Sequence, residues 1–537
     1  MRFGASSASP RCSATMPVDP LTIAELLRRQ ARLRGDHPLL VCDADRISYA
    51  EADVRSAGLA RGLIGLGAGK GTHVGLLYPN GPEFVVGMLA AARIGAVVIP
   101  FSTFVTAREL REQLVDGDVE ILLTAPSFRS HDYVQRLSEI CTGADLGSRL
   151  FCAAVPQLRH VAITHQPVYR LADTVEPALS TALEDDVAEG DPLAIVYTSG
   201  STSAPKGVVH THGSLLAHQR NLNRIRGLAA NDRLFCNSPF FWIGGLAFGL
   251  LATLMAGSTL VCSNATDAEA ILDLLEAEKP TITNGFAAAI AHLADHPTFP
   301  RRDLSSMRRG NLYPIMAPDA RPADPELRHN MLGMTEAGSV VLIGDDESDQ
   351  PEHRRGSFGK PAPGFETKVI DPDTATVVPI GEVGELCLRG PYLMQRYYKR
   401  SREECFDADG WFHSGDLVRI DADGFVYFVG RRSAMIKTAG ANVSAAEVEK
   451  TISRVTDGAP AYVIGIPDAR RGQAVAAVVV QPYGAADFDE AALVARLETE
   501  LSAYKIPKRF IALRGAEVPL LSSGKVDMRR LEELFDV

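Results

Sequence analysis

The sequence predicts an α/β protein: a large N-terminal domain of doubly wound sheets, a β-rich subdomain, and a small α+β C-terminal domain. Three observations predict it. Apolar strand-like runs alternate with amphipathic helical stretches through the first part of the chain, the rhythm of parallel sheets covered by helices. After Gly356 the runs become short and hairpin-like. Past Gly430-Arg431-Arg432, roughly a hundred residues carry an apolar pattern of their own, enough for a separate domain.

Taken in order, Val74 to Tyr78 reads as a strand followed by a helix from Glu83, and Val97 to Ile99 as a strand followed by a helix from Ala107. Ile121 to Leu123 and Val161 to Ile163 continue the rhythm. Leu193 to Tyr197 is an apolar strand that stops in Thr198-Ser199-Gly200-Ser201-Thr202-Ser203-Ala204-Pro205-Lys206-Gly207, and Val208-Val209-His210 reads as the returning strand. Leu417 to Ile420 and Phe425 to Val429 flank Asp421-Ala422-Asp423-Gly424, turn chemistry for an antiparallel pair. Ser444 and Glu447 form a capping-box signature at a helix start, Ala461 to Ile466 and Ala474 to Val480 read as strands, and Asp489 caps a helix running to Leu501. The boundaries predicted are a disordered tail over 1–16, a large domain over 17–431 and a small one over 434–537, with Met16 as an alternative first residue.

The chain has 537 residues, is 46% hydrophobic and 23% charged, and carries a net charge of -11. That acidic balance, without a basic cluster, argues against nucleic acid as the partner. The eight cysteines include no C-x-x-C pair, which reads as free thiols in a cytoplasmic protein. Phe240 to Cys262 is uncharged and long enough to span a bilayer, yet it holds four glycines, lacks flanking basic residues and follows Pro239, so it reads as buried core.

The hydroxyl-rich tip is the chemically dense segment. Small residues let backbone approach a ligand, hydroxyls and N–H groups donate to oxyanions, and Lys206 supplies a point charge for phosphate. Pro205 and the returning strand separate it from the loop whose lysine opens a helix. Gly65, Gly67, Gly69 and Gly71 fit neither glycine-rich phosphate motif and read as a helix end. His210 and His212 alternate on a strand without further ligands at metal spacing, and Asp345-Asp346-Glu347 reads as a solvated turn.

These motifs, in this order, resemble the adenylate-forming superfamily of acyl-CoA synthetases, adenylation domains and luciferases. The resemblance runs from Ile47-Ser48-Tyr49 to the C-terminal lysine. It implies that Thr198, Ser199, Gly200, Ser201, Thr202 and Lys206 hold ATP phosphates, with Ser203 where the family has a second glycine. In Gly333-Met334-Thr335-Glu336 it implies Thr335 near the α-phosphate, Glu336 on Mg²⁺ and Gly333 beside the substrate; Leu332 replaces the adenine-stacking aromatic, so apolar packing of adenine is expected there. Asp416 of Ser414-Gly415-Asp416 corresponds to the ribose-binding carboxylate and Arg431 to the nucleotide-contacting arginine. Ser433 stands at the hinge of a mobile C-terminal domain, and Gly440 lies in the loop that approaches the CoA thiol. Lys525 of Ser522-Ser523-Gly524-Lys525 corresponds to the catalytic lysine of adenylation.

Amino-acid-activating members of the superfamily place an aspartate after the phosphate loop for the substrate ammonium; here no acidic residue occurs between Asp232 and Asp267, so by this resemblance an ammonium would be buried unpaired. The apolar segment around Trp242 therefore implies a small-molecule carboxylic acid with a fatty, apolar or aromatic body. The stand-alone fatty acyl-AMP ligases of the superfamily carry an extra insertion in the large domain; none separates Gly356 from Asp416, so the resemblance implies CoA as acceptor. Loading of a carrier protein, and a degenerate homologue that binds nucleotide or acyl ligand without turnover, stay open as alternatives, as does a homodimer.

Overall fold

The computed structural model describes residues 22–198, 205–431, 435–481, 488–514, 517–519 and 526–535. Two sheets dominate the N-terminal part. The first has seven strands, in the order Arg396–Tyr397, Lys206–Thr211, Pro192–Thr198, Val97–Pro100, His73–Leu77, Ile121–Thr124, His160–Ile163. Its strands from Pro192–Thr198 onward are parallel; Lys206–Thr211 is antiparallel to both neighbours. The second has six strands, with Pro38–Cys42, Thr259–Cys262, Arg233–Cys236, Ile282–Asn284 and Arg309–Gly310 parallel and Asp45–Ser48 antiparallel at one edge.

Helices Tyr49–Gly65 and Pro82–Arg93 lie in the core that joins the sheets. Of the Pro82–Arg93 helix only Glu83 is exposed, as expected of a helix apolar all round. Leu40 and Leu260 of one sheet and Val74 and Val196 of the other belong to the same buried cluster as Phe84, Met88 and Leu89 of that helix.

The uncharged run from Phe240 folds as core: a π-helix over Gly244–Leu251, a short helix Ala252–Ala256 and the strand Thr259–Cys262. Gly245 is required there, because a Cβ would sit 2.1 Å from the carbonyl oxygen of Pro239. No described helix is long and apolar enough to cross a membrane.

The β-rich part consists of a four-stranded antiparallel sheet, Glu366–Ile370, Val383–Arg389, Phe412–Ile420 and Val426–Arg431, and a three-stranded one, Leu332–Met334, Ser339–Ile343 and Lys360–Pro361. In the C-terminal part, Ala441–Ser444, Met435–Thr438, Gly472–Gln481 and Ala461–Asp468 are antiparallel, and Arg509–Arg514 adds in parallel to Gly472–Gln481. The helix beginning at Ala445 has half of the expected capping box: Ser444 accepts from the Glu447 backbone, while the Glu447 carboxylate binds Lys505 instead of reaching back. A buried ammonium outcompetes a backbone N–H for a carboxylate.

Candidate active site

Thr198 and Lys206 are cross-strand partners at the connected end of the hairpin Pro192–Thr198 and Lys206–Thr211. Ser199, Gly200, Ser201 and Thr202 lie outside the described residues, as do Ser433 and Lys525. The edge strand Arg396–Tyr397 pairs with Val208 and Val209, which brings Tyr397 under the lysine: the Lys206 Nζ lies 5.1 Å from its ring centroid. Burial holds the Lys206 ammonium below the ordinary lysine value, Arg400 adds to the shift, and Glu336 opposes it.

Glu336 lies on a single helical turn, Thr335–Ala337, ended by Gly338 at φ +69. The Tyr397 hydroxyl donates to Glu336 Oε1 (2.8 Å), and the Met394 N–H donates to the Glu336 carbonyl (2.7 Å). His210 Nε2 donates to the Thr335 carbonyl at 2.7 Å, and Gln219 Nε2 to the Gly338 carbonyl at 3.2 Å. Burial lowers the His210 pKa to about 4, so the ring is neutral and its Nε2–H is free to donate. His212 accepts the Ile23 N–H through Nδ1. Both histidines are thus structural, and no group of three or more metal-ligating side chains occurs among the described residues.

Gly333 faces outward between two buried neighbours, and a Cβ there would lie 2.9 Å from the Ser339 carbonyl oxygen. Leu332 is turned the other way. It is 4% exposed and packs with Met334, Val340 and Leu342 in the β-rich core. Strand alternation thus sets Leu332 and Met334 on the core face and Gly333 on the outer one.

Asp416 and Arg431 are cross-strand partners, joined by an ion pair from Arg431 Nε to Asp416 Oδ1 at 2.5 Å. Ser414 and Gly415 shape the approach: Gly415 has φ +72 and donates its N–H to Glu385 Oε1, while the Ser414 hydroxyl donates to the Leu386 carbonyl. Asp416 is 1% exposed, yet its Oδ2 has no hydrogen-bond partner among the described residues. A buried carboxylate oxygen without a donor is costly, and it fits a ligand hydroxyl. Burial opposes the charge of Arg431, but Asp416, with Glu336 and Tyr397 nearby, holds its pKa above the ordinary value. Lys437, on the strand Met435–Thr438, is lowered by burial and by Arg431, with Asp416 opposing.

Trp242 is half-buried and makes edge contacts with Phe241 (5.3 Å between centroids) and Phe286 (6.0 Å). Phe286 is clamped by Asn237, whose side chain accepts its N–H and donates to its carbonyl. Gly440 has φ +86, and a Cβ there would lie 2.5 Å from the Phe286 ring. The turn of the C-terminal part therefore lies against the aromatic wall of the N-terminal part.

Two family profiles match the chain: AMP-binding enzyme over residues 27–398, and AMP-binding enzyme C-terminal domain over residues 447–525. The chain belongs to the AMP-binding enzyme family. It is 32% identical over 508 residues to a feruloyl-CoA synthase of Amycolatopsis sp, covering 93% of this chain and 96% of that one. It is 31% identical over 541 residues to a 3-[(3aS,4S,7aS)-7a-methyl-1,5-dioxo-octahydro-1H-inden-4-yl]propanoyl:CoA ligase of Mycobacterium tuberculosis, covering 96% of this chain and 99% of that one. A solved o-succinylbenzoate CoA synthetase of Bacillus subtilis matches in fold, with TM-score 0.74 and 24% identity over 95% of this chain and 98% of that one.

His210, Tyr397, Lys437 and Phe286 were not assigned to the site by the sequence. Polar residues on an otherwise buried strand and helix (His210, His218, Gln219) were a usable signal, since a buried polar group needs a partner. Tyr397 and Phe286 had no comparable local mark.

Proposed function

We propose that this protein is an AMP-forming carboxylic acid–CoA ligase whose acid has an aromatic or polycyclic body. One observation carries the reading: the Gly440 turn lies against Phe286 and Trp242, while Lys206, Glu336, Asp416 and Arg431 are gathered around Tyr397 and a cross-strand ion pair. A nucleotide cradle and an aromatic wall faced by a left-handed glycine turn suit an acid, ATP and a thin thiol chain. The relatives named for feruloyl, indoleacetate and 4-coumarate CoA ligation have acids of the proposed class.

In the first step the carboxylate oxygen attacks the α-phosphorus of ATP. The bond to the β-phosphate oxygen breaks, and pyrophosphate leaves with the electron pair. Thr198 and Lys206 hold phosphate oxygens, Thr335 lies near the α-phosphate, and Asp416 Oδ2 accepts from a ribose hydroxyl. Glu336 is the group for Mg²⁺: its Oε1 is engaged by a neutral phenol, and it forms no salt bridge among the described residues. Bound there, the ion supplies charge screening between two anions. Lys525 stabilises the charge developing at the reacting centre, typically worth about 10²–10³ in rate. In the second step the CoA thiol gives up its proton to water and its sulfur attacks the acyl carbonyl; the bond to the phosphate oxygen breaks, and AMP leaves with the electron pair.

The test is pyrophosphate release across arylpropenoic, aryl-acetic, polycyclic and straight-chain acids, with ATP and Mg²⁺, with and without CoA. Aromatic and polycyclic acids are expected to give thioester with the highest kcat/KM. Release without thioester, reversed by a phosphopantetheine carrier protein, would replace CoA as acceptor; ATP binding without release from any acid would overturn the enzyme reading.

A further inference from the structure

The C-terminal part meets the N-terminal part through a second contact, remote from the Gly440 turn. Helix Ala107–Asp116 presents Glu109, which is 7% exposed. Lys505 Nζ donates to Glu109 Oε1 at 2.7 Å and to Glu447 Oε1 at 2.8 Å. Ser502 donates to the same Glu109 through its hydroxyl (2.6 Å) and its N–H (3.3 Å), and Thr106 donates its N–H (2.9 Å) and hydroxyl (3.2 Å) to Oε2. One residue away, Arg108 pairs with Glu500, which also receives Arg454 at 2.8 Å.

These groups come from both sides of a seam that no described β-pairing crosses. Beside them Tyr504 is edge-on to Phe104 (6.2 Å), Phe104 to Phe241 (6.0 Å), and Phe241 to Trp242. The ion bridge is thus continuous with the aromatic wall whose far end touches Gly440. The C-terminal part thus meets the N-terminal part at two places along one aromatic wall.

We propose that the buried bridge Glu109–Lys505–Glu447 is a positioning device for thiol transfer: it holds the C-terminal unit so that the Gly440 turn meets Phe286. This rests on the acid–CoA ligase reading above. A buried ion pair is a poor source of net stability, because desolvation offsets the attraction, but it is strict about geometry, since breaking one side strands a charge. Rotation of the unit would return Glu109 and Lys505 to water, so the bridge discriminates between arrangements rather than adding to each. Glu109 and Lys505 are positioning residues; neither touches the reacting atoms.

The test uses the full chain, with the best acid from the panel. Glu109→Gln and Lys505→Met are compared with wild type in acid-dependent ATP–pyrophosphate exchange, in thioester formation from supplied acyl-AMP and CoA, and in the radius of gyration from small-angle X-ray scattering. Thioester formation is expected to fall tenfold or more, exchange to stay within threefold, and the scattering profile to broaden; Lys505→Arg is expected to retain most of the second step. Equal loss of both steps with a lowered melting temperature would reduce the bridge to a structural element. Inactive wild-type enzyme would remove the ligase reading alone, and an unchanged scattering profile in both variants would overturn the bridge itself.

Discussion

Asp416 uses one carboxylate oxygen on Arg431 and keeps the other buried, with no hydrogen-bond partner among the described residues. The second oxygen carries a prediction. Asp416→Asn is expected to raise the KM for ATP tenfold or more, about 1.4 kcal/mol. Wild type should prefer ATP over 2′,3′-dideoxy-ATP by a similar factor, and the variant should lose that preference; steady-state kinetics with both nucleotides measures it. Lys206 carries a second. Burial, then Arg400, lowers its pKa from 10.5, so on raising the pH the cradle loses its charge before an ordinary lysine would. ATP affinity by calorimetry should fall with a midpoint below 10.5, and Lys206→Arg should push that limb beyond reach, since guanidinium stays charged. At this scale the sequence singles out Lys206, Glu336, Asp416 and Arg431 because each sits inside a short motif, and the structure sets Glu336 on Tyr397 and Asp416 on Arg431. The sequence was silent where the partner is remote: Tyr397 reaches Glu336 across 61 positions and His210 reaches Thr335 across 125.

At the scale of elements, the hairpin Met435–Thr438 and Ala441–Ser444 turns through Ala439 and Gly440, both with positive φ (47 and 86). Two left-handed residues match the twist of a tight hairpin. Gly440→Ala meets two penalties: a left-handed conformation, about 1–2 kcal/mol, and a Cβ against the Phe286 ring. The expected outcome is a tenfold or greater loss of thioester formation from acyl-AMP, with adenylation within threefold. Phe286→Ala in the same chain removes the clash but not the backbone strain, so it should recover part of the loss and never all; single-turnover assays of the three variants measure the split. The element boundaries themselves were readable from apolar period and turn chemistry. The exceptions were places where a distant charge intervened, as when Lys505 drew Glu447 out of its capping box, or where alternation decided a facing, as at Leu332.

Across the whole molecule, strand order was the least legible feature, because pairing partners need no sequence proximity. Tyr397 closes a sheet whose neighbouring strand holds Val208, and only that register puts a phenol between Lys206 and Glu336. The helical layer beneath is tied by Arg93, which is 4% exposed and pairs with Glu184 (2.8 Å) and Asp53 (2.6 Å). Glu184 also holds Arg28 at 3.3 Å. Removing one member of such a network strands the others, at about 3–5 kcal/mol, whereas replacing a buried pair by apolar side chains is often neutral. Arg93→Met should therefore lower the melting temperature of the N-terminal part, and Arg93→Met with Glu184→Met should recover most of it, less whatever Arg28 loses. Both half-reactions, scaled to folded enzyme, should fall in the same proportion in these variants, because the network joins helices of the N-terminal part and includes no site residue. A change in the ratio of adenylation to thioester formation would mean that the layer also biases the seat of the C-terminal unit, and calorimetry beside the two partial assays distinguishes the outcomes.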